Sequence, residues 1–352
     1  MALAAEALLR KGVGVTVLCS EATDSLPEGC TLQLLPVRGC SNHARMAAFE
    51  KQARLFLQKN HFDVAVGFSR MSGLDIYFAA DDCLRCRWKN PLLNSCLMRR
   101  KIFLQQEQAA LQSPLILTLT GRQERDYQFY YALEKRKFRR IPPGISANYR
   151  QIPDRTAAKK IMTDQYNIDP EKILIVQVAA SFYTKGVDRS LAILSSLPTE
   201  WREKITFLAA GDDKNRYRYQ RVAEINGIDA RFPGGCDHVE QLLAAGDLLL
   251  HPARAESAGN VLIEALCCNL PILTTRRCGY AEYVESSGGG VVLPETFELD
   301  HWLLAMKKLL TEPEHLRQCR KNTENFSRSD FWFSRPDVIA GEVINFARNQ
   351  GA

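Results

Sequence analysis

The chain has 352 residues, 46% of them hydrophobic and 24% charged, with a formal net charge of +6. This composition excludes a disordered or collagen-like chain, and the length predicts about two domains. No apolar run reaches the roughly 18 residues that a membrane-spanning helix needs, and residues 1–9 lack the basic region of a signal peptide. Eleven cysteines, several within apolar segments, favour the reducing cytoplasm, and the small net charge gives no reason to expect a nucleic-acid partner.

The first third of the sequence alternates between helical and strand patterns. We predict helices at 1–11 and 44–60, and short buried strands at 13–19, 63–68 and 115–119. Helices that alternate with buried strands imply right-handed βαβ units and a parallel sheet.

A Pro-Pro-Gly at 142–144 ends this pattern, so we place a domain boundary near residue 150. The alternation then restarts, with strands predicted at 173–178, 205–209, 248–251 and 271–274 and helices at 187–197, 239–245, 259–268, 299–310 and 338–348. The sequence therefore predicts an α/β protein with two Rossmann-like domains, residues 1–150 and 151–325. Residues 326–352 are predicted to form a C-terminal helix that returns toward the first domain.

Open parallel sheets bind ligands at the carboxyl ends of their strands. Two such domains that face each other across a cleft would hold one substrate each, which suits a transfer reaction. Several nucleotide motifs are absent from the sequence: there is no phosphate-binding GxxxxGK[ST], no GxGxxG after a strand and no Asp-x-Asp metal clamp. Cys83 and Cys86 have no second pair at zinc spacing, so we expect no metal site.

Two glutamates follow the predicted strand at 248–251. Glu256 precedes a helix that opens at Ala258 and Gly259, and Glu264 lies two turns further on. A helix start presents unpaired N–H groups that suit a diphosphate or sugar hydroxyls. Two glutamates on one helix equally suit a solvated face, and the position after a buried strand favours a functional site.

A lysine occupies the corresponding place after the strand at 173–178. Lys185, followed by Gly186, would place an ammonium group at the same sheet edge, where a cation stabilises a departing diphosphate. A surface lysine in a loop is the alternative reading. The loop at 232–236, which ends in Cys236, would let backbone groups approach a base, although this signal is weak.

Taken together, these segments resemble the retaining glycosyltransferases of family 4, which have the GT-B fold. The resemblance rests on KGVD at 185–188, HPARAESAGNVLIEALCCNLPILTT from residue 251, and CGYAEYVESSGGGVV from residue 278. In the first half, VGFSRMSGLDIYFAADDC at 66–83 and IPPGI at 141–145 resemble the subgroup that adds glucose to a heptose of the lipopolysaccharide core.

The resemblance implies a UDP-glucose donor held by the second domain, with no metal and no further cofactor. Glu256 would contact the donor sugar, Glu264 the ribose and Lys185 the diphosphate, while Cys236 and Tyr149 would face the base. The helix start at Ala258, Gly259 and Asn260 completes this donor site.

The resemblance also implies an acceptor site on the first domain, formed by Ser69, Arg70 and Asp81. Asp81 is a candidate catalytic residue in addition to Glu256 and Lys185, because its carboxylate could orient the acceptor hydroxyl. A loop cap is an equally good reading of Asp81.

The sequence departs from the family pattern in two places. The arginine expected near Lys185 is missing, and Arg189 or Arg254 is the nearest substitute. The family's first strand and glycine loop do not precede the helix at 1–11, so we expect a split or reordered first sheet and reduced stability or activity. The alternatives are a family 4 enzyme with another sugar or acceptor, and a non-catalytic remnant that still binds UDP.

Residues 84–106 combine six basic side chains with interleaved apolar ones and contain no acidic residue. Such a segment suits an anionic membrane surface, and a solvated basic helix that covers the core is the alternative. Together with a lipid-linked acceptor, this segment predicts a cytoplasmic enzyme that lies peripherally on the inner face of the inner membrane.

Overall fold

The computed structural model describes residues 1–22, 26–88 and 97–350. The chain divides into two compact units. Unit 1 comprises Met1–Gly144 together with Ser334–Ala352, and unit 2 comprises Ile145–Phe333. Every strand pairing in both units is parallel among the described residues, which confirms the predicted α/β class.

The described strands of unit 1 form two separate sheets. A two-stranded sheet pairs β1 with β2, and a four-stranded sheet has the order β3-β4-β5-β6. The strands are β1 (Thr16–Cys19), β2 (Thr31–Leu34), β3 (Val66–Gly67), β4 (Ile76–Ala79), β5 (Leu115–Thr118) and β6 (Phe138–Arg140). A split sheet is one of the two arrangements that the sequence led us to expect.

Helices of unit 1 cover these sheets. They are α1 (Ala2–Arg10), α2 (Asn42–Lys59), α3 (Leu84–Arg87), α4 (Met98–Ala110), α5 (Gly121–Tyr131) and the last helix of the chain, α16 (Arg335–Gln350). The first helix, α1, packs against α16, and Arg10 forms an ion pair with Asp337 at 3.2 Å. The core lies around β4 and β5, whose residues are all buried.

The described strands of unit 2 form one six-stranded sheet with the order β12-β11-β10-β7-β8-β9. They are β7 (Ile173–Val178), β8 (Ile205–Ala210), β9 (Ala230–Gly234), β10 (Leu248–His251), β11 (Ile272–Thr275) and β12 (Gly290–Leu293). This is the doubly wound order 3-2-1-4-5-6, in which the strand order reverses between β7 and β10. Ligands bind such sheets at the carboxyl edge beside that reversal.

The helices of unit 2 flank this sheet. They are α6 (Arg155–Tyr166), α7 (Phe182–Lys185), α8 (Val187–Ser195), α9 (Thr199–Arg202), α10 (Arg216–Ile225), α11 (Val239–Ala245), α12 (Asn260–Cys267), α13 (Ala281–Ser287), α14 (Leu299–Thr311) and α15 (Pro313–Asn322). Buried apolar side chains on one sheet face, including Phe207 and Leu250, pack with Trp302 and Met306 of α14.

One glycine fixes the path of the chain at the reversal. Gly186 joins α7 to α8 with φ +76°, a left-handed conformation that side chains disfavour. A Cβ atom there would lie 2.2 Å from the carbonyl oxygen of Pro252, the residue after β10. The close approach of these two segments therefore requires glycine.

We expect Gly186→Ala to lower the free energy of unfolding by about 3 kcal/mol or more, because left-handed strain and a backbone clash add together. Gly227→Ala is the matched control, since Gly227 has φ +62° and no atom of the described residues lies within 4 Å of the point that a Cβ would occupy. The control should lose only about 1 kcal/mol. Equal losses in denaturant unfolding would show that the contact with Pro252 is unimportant.

Candidate functional site

The predicted lysine and the first predicted glutamate meet at the reversal point of the unit 2 sheet. Lys185 ends α7, which follows β7, and Glu256 lies in the loop that follows β10. Lys185 Nζ contacts Glu256 Oε2, and the two side chains are 21% and 14% exposed. An ion pair this sheltered from water is stronger than an exposed one.

A buried polar relay holds the backbone of Lys185. The side chain of Gln177, on β7, donates a hydrogen bond of 2.8 Å to the carbonyl of Lys185. Ser190, on α8, donates to the other side of the same amide at 2.7 Å. Both relay residues are fully buried, so the position of Lys185 is determined from within the core.

A buried histidine, His251, lies close to Glu256. His251 ends β10, is fully buried, and has Nε2 3.6 Å from Glu256 Oε2. Burial alone would lower the pKa of His251, but the adjacent Cys278 and Glu256 raise it to about 9. Burial alone would raise the pKa of Glu256, but His251 and Lys185 hold it below its ordinary value. Lys185 and His251 therefore both favour the ionised form of Glu256.

The helix start that we predicted lies directly beside Glu256. Gly259 is the N-cap of α12 with φ +95°, and its Cβ position would be 3.1 Å from Glu256 Cγ. The carbonyl of Ala258 accepts a hydrogen bond from the backbone of Tyr280 at 2.7 Å, and Asn260 is exposed at the first position of the helix. These contacts fix the loop between Glu256 and the helix.

The second glutamate has a different environment. Glu264, on α12, lies close to the hydroxyl of Tyr149, which is on the 3-10 helix Ala147–Arg150. Burial raises the pKa of Glu264 to about 7, although the Tyr149 hydroxyl partly opposes the shift. Two predicted donor residues thus lie together, and the second glutamate is half protonated near neutral pH.

The other predicted basic and donor residues of unit 2 contact protein groups. Arg254 forms a bidentate pair with Asp188 at 2.6 Å, and Arg189 donates to the carbonyl of Pro252 at 3.2 Å. Cys236 lies close to the hydroxyl of Tyr166. Lys185 is therefore the cation that directly contacts Glu256 from α7.

The predicted acceptor residues follow the carboxyl ends of β3 and β4. Ser69 is exposed, and Arg70 pairs with the exposed carboxylate of Asp81 at 3.1 Å. Arg70 itself is only 10% exposed, because its guanidinium also lies 3.4 Å from the buried carboxylate of Glu107.

Glu107, on α4, organises this edge of unit 1. Its side chain is fully buried and accepts hydrogen bonds from the backbone of Leu84 at 2.8 Å and from the hydroxyl of Tyr131 at 2.5 Å. Burial raises the pKa of Glu107 despite these contacts and the nearby Arg70. The sequence analysis missed this residue, because a glutamate in an amphipathic helix gives no sign of burial.

Sequence reasoning also missed other residues at the carboxyl edge of the unit 1 sheet. Arg122, in the first turn of α5, forms an ion pair with Asp82 at 3.0 Å, and Gln123 donates to the carbonyl of Asp81 at 2.8 Å. In unit 2 it missed His251 and Gln177. Gln177 lies within an otherwise apolar strand and His251 ends one, and a polar residue in a buried run is the signal that could have revealed them.

The segment at 84–106 is described only in part, since 89–96 lies outside the described residues. On either side of that gap, the guanidinium of Arg100 lies over the ring of Trp88 at 5.4 Å, and Met98 is 65% exposed. No helix of the described residues is both long and apolar enough to cross a bilayer. The same residues contain no cluster of three His, Cys, Asp or Glu side chains that could hold a metal ion.

Comparison with known proteins identifies the architecture. Residues 158–326 match the family model of the glycosyl transferases group 1. The lipopolysaccharide glucosyltransferase WaaG of Escherichia coli strain K12 is 32% identical over 351 residues, which span 96% of this chain and 93% of that protein.

Solved structures agree with this assignment. A crystal structure of WaaG superposes with a TM-score of 0.86 and 31% identity, covering 97% of this chain and 94% of that one. Sucrose-phosphate synthase from Thermosynechococcus elongatus, at 16% identity, shares the fold with a TM-score of 0.75 and covers 99% of this chain and 92% of its own. The two-domain GT-B fold is therefore confirmed.

The raised pKa of Glu264 predicts how stability depends on pH. The pKa is about 7 in the folded chain and 4.5 for an ordinary glutamate, so the folded state binds more protons between these values. The contribution of Glu264 to stability is therefore greatest below pH 4.5 and falls as the pH rises to 7, by at most about 3 kcal/mol.

Glu264→Gln should remove this pH-dependent loss. In denaturant titrations, the free energy of unfolding of the variant should therefore rise relative to that of wild type between pH 4.5 and 7. Tyr149→Phe should enlarge the loss, because the carboxylate loses its hydrogen-bond donor. A pH-independent difference between wild type and Glu264→Gln would contradict the assignment.

Proposed function

The chain belongs to the glycosyl transferases group 1, and we propose that this glycosyltransferase moves glucose from UDP-glucose to a heptose of the lipopolysaccharide inner core, with retention. The observation that carries the proposal is the meeting of Lys185 and Glu256 at the point where the unit 2 sheet reverses. The choice of sugar and acceptor is supported by the similarity to WaaG along nearly the whole chain.

The donor would bind at the carboxyl edge of unit 2. The ammonium of Lys185 and the N–H groups at the start of α12 would stabilise the diphosphate as it leaves. Glu256 would contact the glucose, while Glu264 would accept hydrogen bonds from the ribose hydroxyls and Tyr149 would lie toward the base. A Glu264 that is half protonated near pH 7 would bind ribose better once ionised.

The acceptor would bind at the carboxyl edge of unit 1, where Ser69, Arg70 and Asp81 are proposed to contact it. In the transfer, the bond from the glucose anomeric carbon to the phosphate oxygen breaks, and a new bond forms to the acceptor hydroxyl on the same face. The acceptor proton passes to the leaving phosphate, and Asp81 orients the hydroxyl. The products are UDP and the glucosylated core.

The direct test is transfer to a heptose-bearing inner-core acceptor. We expect turnover with UDP-glucose, and tighter binding of UDP-glucose than of ADP-glucose or GDP-mannose in calorimetric titrations. Preference for another nucleotide sugar would exclude UDP-glucose as the donor. Binding of UDP-glucose without transfer to any core acceptor would favour the non-catalytic alternative.

The same assay tests the site through three variants. Lys185→Ala should lower kcat about 10²–10³-fold, since one charge-stabilising donor is lost. Glu256→Ala should lower kcat with a small effect on UDP binding, whereas Glu264→Ala should weaken UDP binding by about 1–3 kcal/mol. Lys307→Ala, at an exposed lysine of unit 2, is the control, and three variants that behave like it would refute the site.

We also propose that residues 84–106 hold the enzyme on an anionic membrane surface, at the cytoplasmic face of the inner membrane. The support is the mixture of exposed apolar and basic side chains at the start of α4, including Leu97, Met98, Arg99 and Lys101. Each basic residue near such a surface adds about 1 kcal/mol.

A triple variant in which Arg99, Arg100 and Lys101 are each replaced by glutamine should bind anionic vesicles on the order of 100-fold more weakly, because about 3 kcal/mol of binding free energy is lost. Binding of the wild type should also weaken with added salt. The matched control neutralises Lys307, Lys308 and Lys321, which are exposed on unit 2 and carry the same total charge. Equal binding to neutral and anionic vesicles in a sedimentation assay would contradict the mechanism.

A further inference from the structure

His251 has no role in the proposed chemistry so far, yet it lies against the residue that contacts the sugar. Its ring is fully buried, and neither ring nitrogen has a hydrogen-bond partner among the described residues. The closest charged atom is Glu256 Oε2, 3.6 Å from Nε2. A buried polar ring without such partners is costly unless a nearby charge compensates for it.

The same oxygen of Glu256 also contacts Lys185. Lys185 and His251 thus share one carboxylate oxygen, with the lysine 21% exposed and the histidine enclosed. The two cations differ in freedom, because Lys185 has a long side chain that borders the solvent, whereas His251 is held at the end of a buried strand.

In the proposed donor site, Lys185 and Glu256 contact different parts of the nucleotide sugar. Lys185 serves the diphosphate and Glu256 the glucose, so the ion pair must loosen when the donor binds. A mostly buried carboxylate that loses a neighbouring cation tends to take up a proton. A neutral Glu256 would no longer orient the sugar as a charged acceptor of hydrogen bonds.

We propose that His251 is a positioning residue for the transfer: its imidazolium keeps Glu256 ionised and in place after Lys185 turns to the diphosphate. This inference rests on the proposed function of Glu256 and Lys185. The groups that face the imidazole are Glu256 and Cys278, and Lys185 acts on it through Glu256. Thr274 fixes the surroundings, since its hydroxyl donates to the carbonyl of His251 at 3.0 Å and contacts Cys278 Sγ at 3.5 Å.

The kinetic test is His251→Gln, which keeps an N–H group near the position of Nε2 but removes the charge. We expect the acid limb of the kcat–pH profile to move upward by about one pH unit or more, with Kd for UDP changed less than about twofold. A purely structural role would lower the melting temperature and scale the whole profile without moving its acid limb. An unmoved acid limb with wild-type kcat would overturn the proposal.

A second measurement does not depend on turnover. In the full chain labelled with ¹³C at glutamate carboxyl carbons, the signal of Glu256 is assigned by its loss in Glu256→Gln. Its titration in the UDP-bound protein should shift to higher pH in His251→Gln. If the wild type transfers no glucose from UDP-glucose while this shift is present, the proposed function fails, and the effect of His251 on the ionisation of Glu256 stands.

Labelling the histidine rings provides the reciprocal measurement, which remains available if His251→Gln does not fold. The His251 ring should be protonated at pH 7 in the wild type and should lose its proton at lower pH in Glu256→Gln. A ring that is neutral at pH 7 in the wild type would overturn the proposal, as would a titration unaffected by Glu256→Gln.

Discussion

The structure of the donor side depends on keeping one carboxylate charged in a place largely closed to water. Glu256 is mostly buried, and burial favours its neutral form. The fold opposes this through Lys185 at the end of α7 and His251 at the end of β10. Those two elements meet because the strand order reverses between β7 and β10, so the electrostatic arrangement is a direct product of sheet topology.

Unit 1 also encloses a carboxylate, but the contacts that stabilise it are different. Glu107 is also a carboxylate enclosed near the carboxyl edge of a parallel sheet, but hydrogen bonds supply most of its contacts. These bonds hold the start of α3 and the ring of Tyr131, while Arg70 connects Glu107 to the exposed Asp81. In unit 1 the buried charge thus organises the chain around the proposed acceptor residues, whereas in unit 2 it belongs to a proposed contact residue itself.

The sequence predicted the parts of the molecule whose patterns are local. Lys185, Glu256 and Glu264 could be proposed as site residues because each follows a recognisable buried strand, and β7 and β10 have the predicted bounds. Strand β4 was not predicted, although β5 and β10, whose residues are equally buried, were predicted. Strand β9 contains a proline, which is unusual inside a strand. The roles of His251, Gln177 and Glu107 depend on partners distant in sequence, so no local pattern could assign them.

The packing of α1 against α16 has a consequence for the order of assembly. The ion pair between Arg10 and Asp337 joins residues 327 positions apart, and all of unit 2 lies between them in the chain. During synthesis, the ribosome therefore releases unit 2 while α1 still lacks its helical partner. Loop closure over so long a stretch is slow compared with the folding of local contacts. Unit 1 therefore completes the packing of α1 only after its last helix has been made.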